Sequence, residues 1–443
     1  MESKKLELEI ETVANKFLET IPNKEILVIS HFDTDGITSA TIFIQALKKL
    51  DQRFSLRIVK RIENGLISKL PKDKIIIFLD LASGNLNEIA ETGLKNVFII
   101  DHHEIIQEIP EGINIINPHL VNKEEISSSG LVYLFCKQIN QENKEFAKLA
   151  ILGMIGDCME KSIDKLNNLI INDGEIKRRR GILIYPSTRP LNRTLEFCSD
   201  PYIPGITGNT VGVIELLREI GINPVNGKYK SLIELDDDEM SKLVTAIMLQ
   251  SPKVKSRGII GDIFLIKLFN KLEDARELSA MINACSRLGE SEKAVQFCME
   301  SAKAKKRVEL MHTKYKQVIV SGLKFISESE KIIGNGFVII NAKENIKDTV
   351  IGTMAGILSN SSIYEEGTII ITMAYYDDKI KVSARNAGCG RNVREVLNLV
   401  VEKIGGGEVG GHSSAAGCMI IKEKEDAFIE CLKKHLEIEV VKI

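Results

Sequence analysis

The first half of the chain alternates short apolar runs with segments of helical periodicity. The runs at residues 25–29, 74–79 and 97–100 are rich in isoleucine and valine, which is typical of strands buried on both faces of a sheet. The segments between them, 38–50 and 86–92, carry apolar residues at helical spacing. Because strands that alternate with helices indicate βαβ units, this half predicts a mostly parallel sheet.

The second half has a different pattern. From residue 211 to about residue 330 the spacing is mainly helical, and the charged run 290–324 predicts one long helix because it has no glycine or proline before Gly322. The sequence Gly-Asn-Gly at 334–336 then ends the helical region. Strand patterns return at residues 337–341, 368–374 and 380–384, followed by a helix pattern at 392–404.

These patterns together predict an α/β protein. A chain of 443 residues is too long for one ordinary core. We expect an N-terminal, mostly parallel-sheet domain over residues 1–200, a helical middle region and connector over 201–330, and a smaller C-terminal α/β domain over 331–443.

Composition narrows the class of protein. Hydrophobic residues make up 44% and charged residues 27% of the chain, a balance typical of globular proteins. No apolar stretch reaches the roughly 20 residues that span a bilayer, and the N-terminus lacks a hydrophobic signal core. The eight cysteines form no Cys-x-x-Cys pair, which favours a reducing compartment. We therefore expect a cytoplasmic protein with no membrane partner. The net charge of −2 argues against a DNA-coating role but allows a local basic groove.

Acidic residues and histidines follow four separate apolar segments. The first strand leads into His-x-Asp-x-Asp-Gly, the second ends in an aspartate, the third ends in Asp-His-His, and the helical segment 152–156 leads to another aspartate. Because the C-terminal ends of parallel strands form the edge where ligands bind, we expect these side chains to converge. The residues are His31, Asp33, Asp35, Asp80, Asp101, His102, His103 and Asp157.

Several carboxylates that converge beside neutral imidazoles need a compensating positive charge, since mutual repulsion would otherwise raise their pKa values. Two divalent cations would supply it. Aspartate and histidine ligands without cysteine suit Mn²⁺, with Mg²⁺ as an alternative and Zn²⁺ less favoured. Such a pair can generate hydroxide and stabilise the attacking and leaving oxygens of a phosphoester.

These motifs resemble the four ordered motifs of the DHH phosphoesterase superfamily. The resemblance implies two metal sites that share a bridging aspartate: one held by His31, Asp33 and Asp80, the other by Asp35, Asp80, His102 and Asp157. It implies two catalytic residues, His103 contacting the scissile phosphate or leaving group and Asp101 orienting a histidine. Many relatives have aspartate at the first position, where His31 is a usable ligand that bears on metal preference.

A glycine-rich segment at residues 405–417 surrounds a histidine near the C-terminus. Glycines expose backbone N–H groups and let a phosphate backbone approach closely. About twenty residues earlier, a strand pattern ends in Ser-Ala-Arg-Asn, and its arginine can make bidentate phosphate contacts. Together these segments resemble the DHH-associated C-terminal domain. The resemblance implies substrate binding by Ser383, Arg385, Asn386, Gly410, Gly411 and His412.

The segment 278–289 and the Thr-Arg-Pro connector at 188–190 resemble the archaeal RecJ-like nucleases. This resemblance implies a metal-dependent exonuclease acting on single-stranded nucleic acid in DNA replication or repair. The expected substrate is single-stranded DNA, with RNA as an alternative, and the resemblance favours 5′→3′ digestion. It also implies replication proteins of the GINS type as partners.

Two alternatives stay open. The same chemistry could serve a phosphodiesterase of short oligonucleotides or cyclic dinucleotides, although the helical middle region argues mildly for a larger substrate. A pyrophosphatase is the weakest form of this alternative. A non-catalytic scaffold of a replication complex belongs to another class, and a complete set of predicted ligands argues for catalysis.

Overall fold

The structure is a computed structural model that describes residues 3–62, 65–105, 107–121, 125–161, 163–198, 203–250, 259–361, 363–405, 407 and 409–437. The chain divides into two compact units. One comprises residues 1–194, 217–246 and 257–312, and the other comprises 195–216, 247–256 and 313–443. Over the described ranges, none of the helices combines the length and the apolar character that a bilayer span requires.

A parallel five-stranded sheet organises the first unit, as predicted. Its strands are β1 Ile26–His31, β2 Phe54–Val59, β3 Ile75–Leu79, β4 Val97–Ile100 and β5 Ile113–Ile116. The order across the sheet is β2-β1-β3-β4-β5. All residues of β3 and β4 are buried, because a parallel sheet is covered on both faces.

Helices cover both faces of this sheet. Ile77 and Phe98 face one hydrophobic core, whereas their chain neighbours Phe78 and Ile99 face a second core on the opposite side. Alternation along each strand thus divides one apolar run between two cores. The helices are α1 Ser3–Thr20, α2 Thr34–Lys49, α3 Leu86–Glu91, α4 Ser128–Ile139, α5 Ala147–Gly156 and α6 Lys165–Asp173.

The middle region is rich in helices, as predicted, and also contains a small antiparallel sheet that the sequence pattern did not predict. Its strands are β6 Lys177–Ile182, β7 Ile260–Leu268 and β8 Lys271–Asp274, in the order β6-β7-β8. The residues joining β7 to β8, Phe269 and Asn270, both have positive φ. This is the geometry of a tight two-residue hairpin. The prediction of mainly helical structure from residue 211 to about residue 330 did not include it.

The predicted long helix at residues 290–324 is wrong in one respect, because the chain breaks near Glu300. Glu300 has φ of 59°, a left-handed conformation that ends a helix. Its carboxylate accepts a hydrogen bond from Phe269 N at 2.8 Å and forms an ion pair with Lys148. These tertiary contacts favour the break. The helices of this region are α7 Leu191–Glu196, α8 Thr210–Glu219, α9 Asp237–Gln250, α10 Ala275–Arg287, α11 Ser291–Cys298 and α12 Ala302–Glu328.

The C-terminal region forms the smaller α/β domain that the pattern predicted. Its strands are β9 Ile332–Gly334, β10 Phe337–Asn341, β11 Ile369–Tyr376, β12 Lys379–Asn386, β13 Val409–His412 and β14 Ala415–Ile421. They form a mixed sheet in the order β13-β14-β12-β11-β10-β9, in which β10 and β11 are parallel. Its helices are α13 Asp348–Asn360, α14 Val393–Ile404 and α15 Glu425–Glu437.

Candidate metal centre

The first strand brings a histidine and an aspartate to the edge of the sheet. β1 ends at His31, and Asp33 caps α2 by accepting a hydrogen bond from Gly36 N at 3.0 Å. His31 Nδ1 lies 3.0 Å from Asp33 Oδ2. A Cβ on Gly36 would lie 2.3 Å from the His31 carbonyl oxygen. Glycine is therefore required at this position, because the helix begins directly against the strand that precedes it.

Asp80 lies between two histidines. It follows β3 with φ of 59°, in the left-handed region, and is 1% exposed. Its Oδ2 atom lies 3.3 Å from His31 Nδ1, and its Oδ1 atom lies 3.6 Å from His102 Nε2. Oδ1 also accepts a hydrogen bond from Ser128 Oγ at 3.0 Å. Because its two oxygens face different histidines, this carboxylate is suited to act as a shared ligand.

The Asp-His-His sequence after β4 divides into separate contacts. Asp101 Oδ1 accepts a hydrogen bond from His102 N at 2.8 Å and lies 2.7 Å from His103 Nδ1. Its other oxygen accepts a hydrogen bond from Ser83 N at 3.0 Å. The His102 ring points elsewhere, with Nε2 3.4 Å from Asp157 Oδ2. Asp101 therefore orients His103, whose side chain is 55% exposed.

The carboxylate of Asp35 is buried at the N-terminus of α4. Its Oδ2 accepts a hydrogen bond from Ser128 N at 2.7 Å, and its Oδ1 accepts one from Ser129 N at 3.0 Å. The partial positive charge of a helix N-terminus favours an anion at this position. Gly153 of α5 packs on the same group, where a Cβ would lie 2.3 Å from Asp35 Oδ1. Only glycine fits beside this carboxylate.

Among the residues that the structure describes, potential ligand atoms converge in three groups of three, two of which consist only of predicted ligands. Within each group, one potential ligand atom per residue lies within 4.8 Å of the others. The third group joins Asp80 to both histidines of the Asp-His-His sequence. The other two groups are His31 with Asp33 and Asp80, and Asp35 with His102 and Asp157.

The chemistry of this donor set fits divalent cations. The Oδ2 atom of Asp157 is buried and has no hydrogen-bond partner among the described residues. In that same part of the chain, the ion pairs that these carboxylates form are with histidines rather than with lysine or arginine. Carboxylates and imidazoles without a thiolate suit Mn²⁺ or Mg²⁺. A divalent cation would add positive charge to that which the histidines supply.

The aspartates of this centre repel one another in the absence of a cation. Burial, together with the charges of Asp33 and Asp35, raises the pKa of Asp80 well above its ordinary value. Burial and the charges of Asp35, Asp33 and Asp80 do the same to the pKa of Asp157. Both shifts are the signature of carboxylates placed close together in a low-dielectric site.

The pKa values of the two adjacent histidines shift in opposite directions. Burial lowers the pKa of His102, which favours the neutral imidazole that a metal ligand requires. Burial also acts to lower the pKa of His103, but the hydrogen bond and charge of Asp101 outweigh it and raise this pKa to about 9. His102 is therefore suited to bind a metal and His103 to carry a proton.

Several residues that position these side chains were not identified from the sequence. Ser127 caps α4, because its side chain accepts a hydrogen bond from Gly130 N at 3.2 Å. Ser128 and Ser129 instead hold the carboxylates of the site. Asn117 donates from Nδ2 to Ser83 Oγ at 3.0 Å and to the His103 carbonyl oxygen at 2.9 Å. The available sequence signal for the supporting serines was the run of three serines, since a helix cap requires only one. No sequence signal pointed to Asn117.

In the C-terminal unit, Ser383 and Arg385 lie on one face of β12, while Asn386 lies on the other. Arg385 Nη1 donates to the carbonyl oxygens of Ala384 at 2.8 Å and Ala416 at 3.2 Å. Asn386 Nδ2 donates to the Arg391 carbonyl oxygen at 2.7 Å. Asn386 thus supports the turn that follows β12.

Residues 409–417 of the glycine-rich segment belong to the hairpin of β13 and β14. His412 pairs with Ala415, and Ala415 pairs with Arg385 on β12. Because cross-strand partners point to the same face, His412 and Arg385 share a face, about 10 Å apart. In the next row, Gly410 pairs with Gly417, which pairs with Ser383. Gly411 has φ of 112°, and a Cβ there would lie 2.4 Å from the Ala415 carbonyl oxygen.

Comparison with known families agrees with this architecture. The chain matches the DHH family N-terminal domain over residues 25–155, the DHH-CID domain over 184–257 and the DHHA1 domain over 334–437. It is 30% identical over 441 residues to an uncharacterized protein of Methanocaldococcus jannaschii, covering 95% of this chain and 96% of that protein. The chain belongs to the DHH superfamily and is RecJ-like, and this membership supports a phosphoesterase.

Two further proteins are similar to this chain, one in part of its sequence and in its fold, the other in its fold. The single-stranded-DNA-specific exonuclease RecJ of Thermus thermophilus is 28% identical over 151 residues, covering 30% of this chain and 22% of RecJ. Its crystal structure with Mn²⁺ has a TM-score of 0.60 at 18% identity and covers 97% of this chain and 55% of that chain. The crystal structure of CDC45 from Entamoeba histolytica has a TM-score of 0.65 at 12% identity. The match covers 97% of this chain and 99% of that chain. These structural likenesses establish the fold alone.

Proposed function

We propose that this protein is a metal-dependent exonuclease that hydrolyses the phosphodiester bonds of single-stranded nucleic acid from an end. The observation that carries the proposal is the convergence of acidic and histidine side chains from four chain segments, in two groups of three, at one edge of the parallel sheet. Membership of a phosphoesterase superfamily adds support. We propose DNA replication or repair as the setting.

Two divalent cations are part of the proposal, with Mn²⁺ preferred. When bound, they would supply hydroxide at neutral pH and stabilise the attacking and leaving oxygens of the phosphoester. One would be held by His31, Asp33 and Asp80, and the other by Asp35, Asp80, His102 and Asp157.

His103 is the proposed substrate contact. Because Asp101 holds its Nδ1 atom at 2.7 Å, Nε2 is the atom free to face a phosphate oxygen or leaving group. In the metal-free protein the hydrogen bond and charge of Asp101 outweigh burial and raise the pKa of this ring to about 9, which favours the protonated form. It would then donate a charged hydrogen bond to the departing oxygen.

The C-terminal unit is proposed to hold the nucleic-acid strand. Arg385 and His412 share one face with Ser383, Gly410 and Gly417, and the two glycines leave room for a phosphate backbone. Contacts of this kind are sensitive to salt and largely independent of sequence. We propose single-stranded DNA as the substrate and 5′→3′ digestion.

A length series of single-stranded DNA and RNA, labelled at the 5′ or 3′ end and incubated with Mn²⁺, tests the proposal. We expect progressive release of nucleotides from a thirty-mer, with the label position giving the polarity. Preference for two- to five-mers with stalling on thirty-mers would favour the phosphodiesterase of short oligonucleotides. Absence of any release would favour the scaffold, an alternative that the complete set of predicted ligands disfavours.

A further inference from the structure

Helix α10 packs against the candidate metal centre although it comes more than 110 residues after the last predicted ligand. Residues 275–287 lie outside the three matched domain regions, between residues 257 and 334. The helix begins at a defined point, where Asp274 accepts a hydrogen bond from Arg276 N at 2.9 Å. This cap defines the residue at which α10 begins.

The first ligand segment, residues 31–35, contacts the middle of α10 through Thr34. This residue lies between Asp33 and Asp35 and is 1% exposed. Asn283 Oδ1 accepts a hydrogen bond from Thr34 N at 3.2 Å. The Ser279 carbonyl oxygen accepts one from Thr34 Oγ1 at 3.1 Å. Both the backbone and the side chain of Thr34 are thus fixed by one helix.

Thr34 also contacts the last ligand segment. A Cβ on Gly156 would lie 2.8 Å from Thr34 Cβ, so the residue before Asp157 packs directly on Thr34. Three residues beyond Asp157, Glu160 Oε1 accepts a hydrogen bond from Arg276 Nη2 at 2.8 Å, with side chains 8% and 17% exposed. The start of α10 is thereby tied to the segment that carries Asp157.

We infer that α10 fixes the spacing between the first and last ligand segments, and that Asn283 is a positioning residue for Asp33 and Asp35. Without its acceptor, the Thr34 N–H would lose its partner in a largely buried position, and the turn between the two ligands could relax. The inference rests on the proposed metal centre. Loss of a partner that orients metal ligands typically costs about 10–100-fold in metal affinity.

The test measures Mn²⁺ affinity of the full chain by calorimetry, with the Mn²⁺-induced rise in the thermal midpoint as a second reading. Asn283→Leu removes the acceptor at similar volume, whereas Asn283→Asp retains an acceptor for Thr34 N. Thr34→Val removes the hydroxyl contact alone and serves if the leucine variant does not fold. Arg189→Gln is the matched control, because Arg189 Nη2 contacts α10 at Glu277 Oε2, 3.4 Å away.

We expect Asn283→Leu to weaken Mn²⁺ binding by about 10–100-fold and Thr34→Val to weaken it by a smaller factor. Arg189→Gln should stay within about threefold of the unmodified chain, whereas Asn283→Asp, which keeps the acceptor and adds a negative charge beside the centre, should bind Mn²⁺ at least as tightly. A folded leucine variant that binds Mn²⁺ like the unmodified chain would overturn the inference. So would a lower thermal midpoint with an unchanged Mn²⁺-induced rise, because that result marks a purely structural role. If the unmodified chain binds no Mn²⁺, the metal centre itself is refuted.

Discussion

Replacing Asp80 with asparagine should stabilise the metal-free protein while abolishing its activity. Asp80 is buried with φ of 59°, a conformation that asparagine tolerates. Asparagine also retains an oxygen that can accept the hydrogen bond from Ser128 Oγ. The substitution therefore removes the charge with little change in shape or backbone.

The sign of the stability change follows from the pKa of Asp80. Burial and the nearby charges of Asp33 and Asp35 raise this pKa above the ordinary value of 3.8. The folded protein therefore binds this proton more tightly than the unfolded chain. The contribution of Asp80 to metal-free stability is therefore fully present below pH 3.8 and is lost as pH rises through the raised pKa. At pH 7.5, Asp80→Asn should raise the free energy of unfolding by about 0.5–2 kcal/mol, the usual scale for a single stabilising substitution.

Mn²⁺ should reverse the order of stability. An ion at 100 times its dissociation constant stabilises a folded protein by about 2.7 kcal/mol, and the asparagine variant should lose most of this gain. Nucleotide release should fall by about a hundredfold to a thousandfold, the scale expected for losing a preorganised electrostatic group.

Urea unfolding with EDTA and with Mn²⁺, together with an exonuclease assay, measures these effects. Asp51→Asn is the matched control, since Asp51 also has positive φ, 54°, but is exposed. A metal-free asparagine variant less stable than the unmodified protein at pH 7.5, or one that retains the Mn²⁺-induced gain, would refute the reasoning.

Three further predictions concern other parts of the molecule. Gly153→Ala places a methyl group 2.3 Å from Asp35 Oδ1. The free energy of unfolding in urea should therefore fall by about 1–3 kcal/mol, and Mn²⁺ binding should weaken. An unchanged urea midpoint would contradict this packing. Arg385→Gln should weaken binding of a single-stranded thirty-mer and lower its salt slope by about one, as measured by fluorescence anisotropy; an unchanged slope would exclude a phosphate contact. Burial raises the pKa of Glu9 to about 7. The contribution of Glu9 to stability should therefore be lost as pH rises from 4.5 to 7. Glu9→Gln should then be more stable than the unmodified chain at pH 8 but not at pH 4, which pH-dependent thermal melts will decide.

The regular part of the fold was predictable because its apolar runs have few alternative explanations. The strand predicted at 97–100 matches β4, and the strand predicted at 337–341 matches β10. What the pattern missed depended on tertiary contacts. The hairpin of β7 and β8 rests on two residues with positive φ, and the break at Glu300 on a hydrogen bond to Phe269. Neither feature leaves a periodic signal in the chain.

The candidate site was predictable only as far as its residues follow strand ends. That rule located His31, Asp80 and His102 before any geometry was known, because parallel strands share an edge. The supporting residues come from elsewhere. Ser128 holds Asp80 from the start of a helix, and Asn283 contacts the first ligand segment across 249 positions of sequence. Such contacts depend on how helices pack, which motif spacing does not encode.

The central claim is that these side chains form a two-ion centre, and anomalous diffraction from crystals soaked in Mn²⁺ tests it most directly. We predict two anomalous peaks, one beside His31, Asp33 and Asp80 and the other beside Asp35, His102 and Asp157, with Asp80 next to both. The Asp80→Asn variant should lose at least one of them. Crystals with no peak at this edge of the sheet, or with Mn²⁺ bound only elsewhere, would contradict the claim.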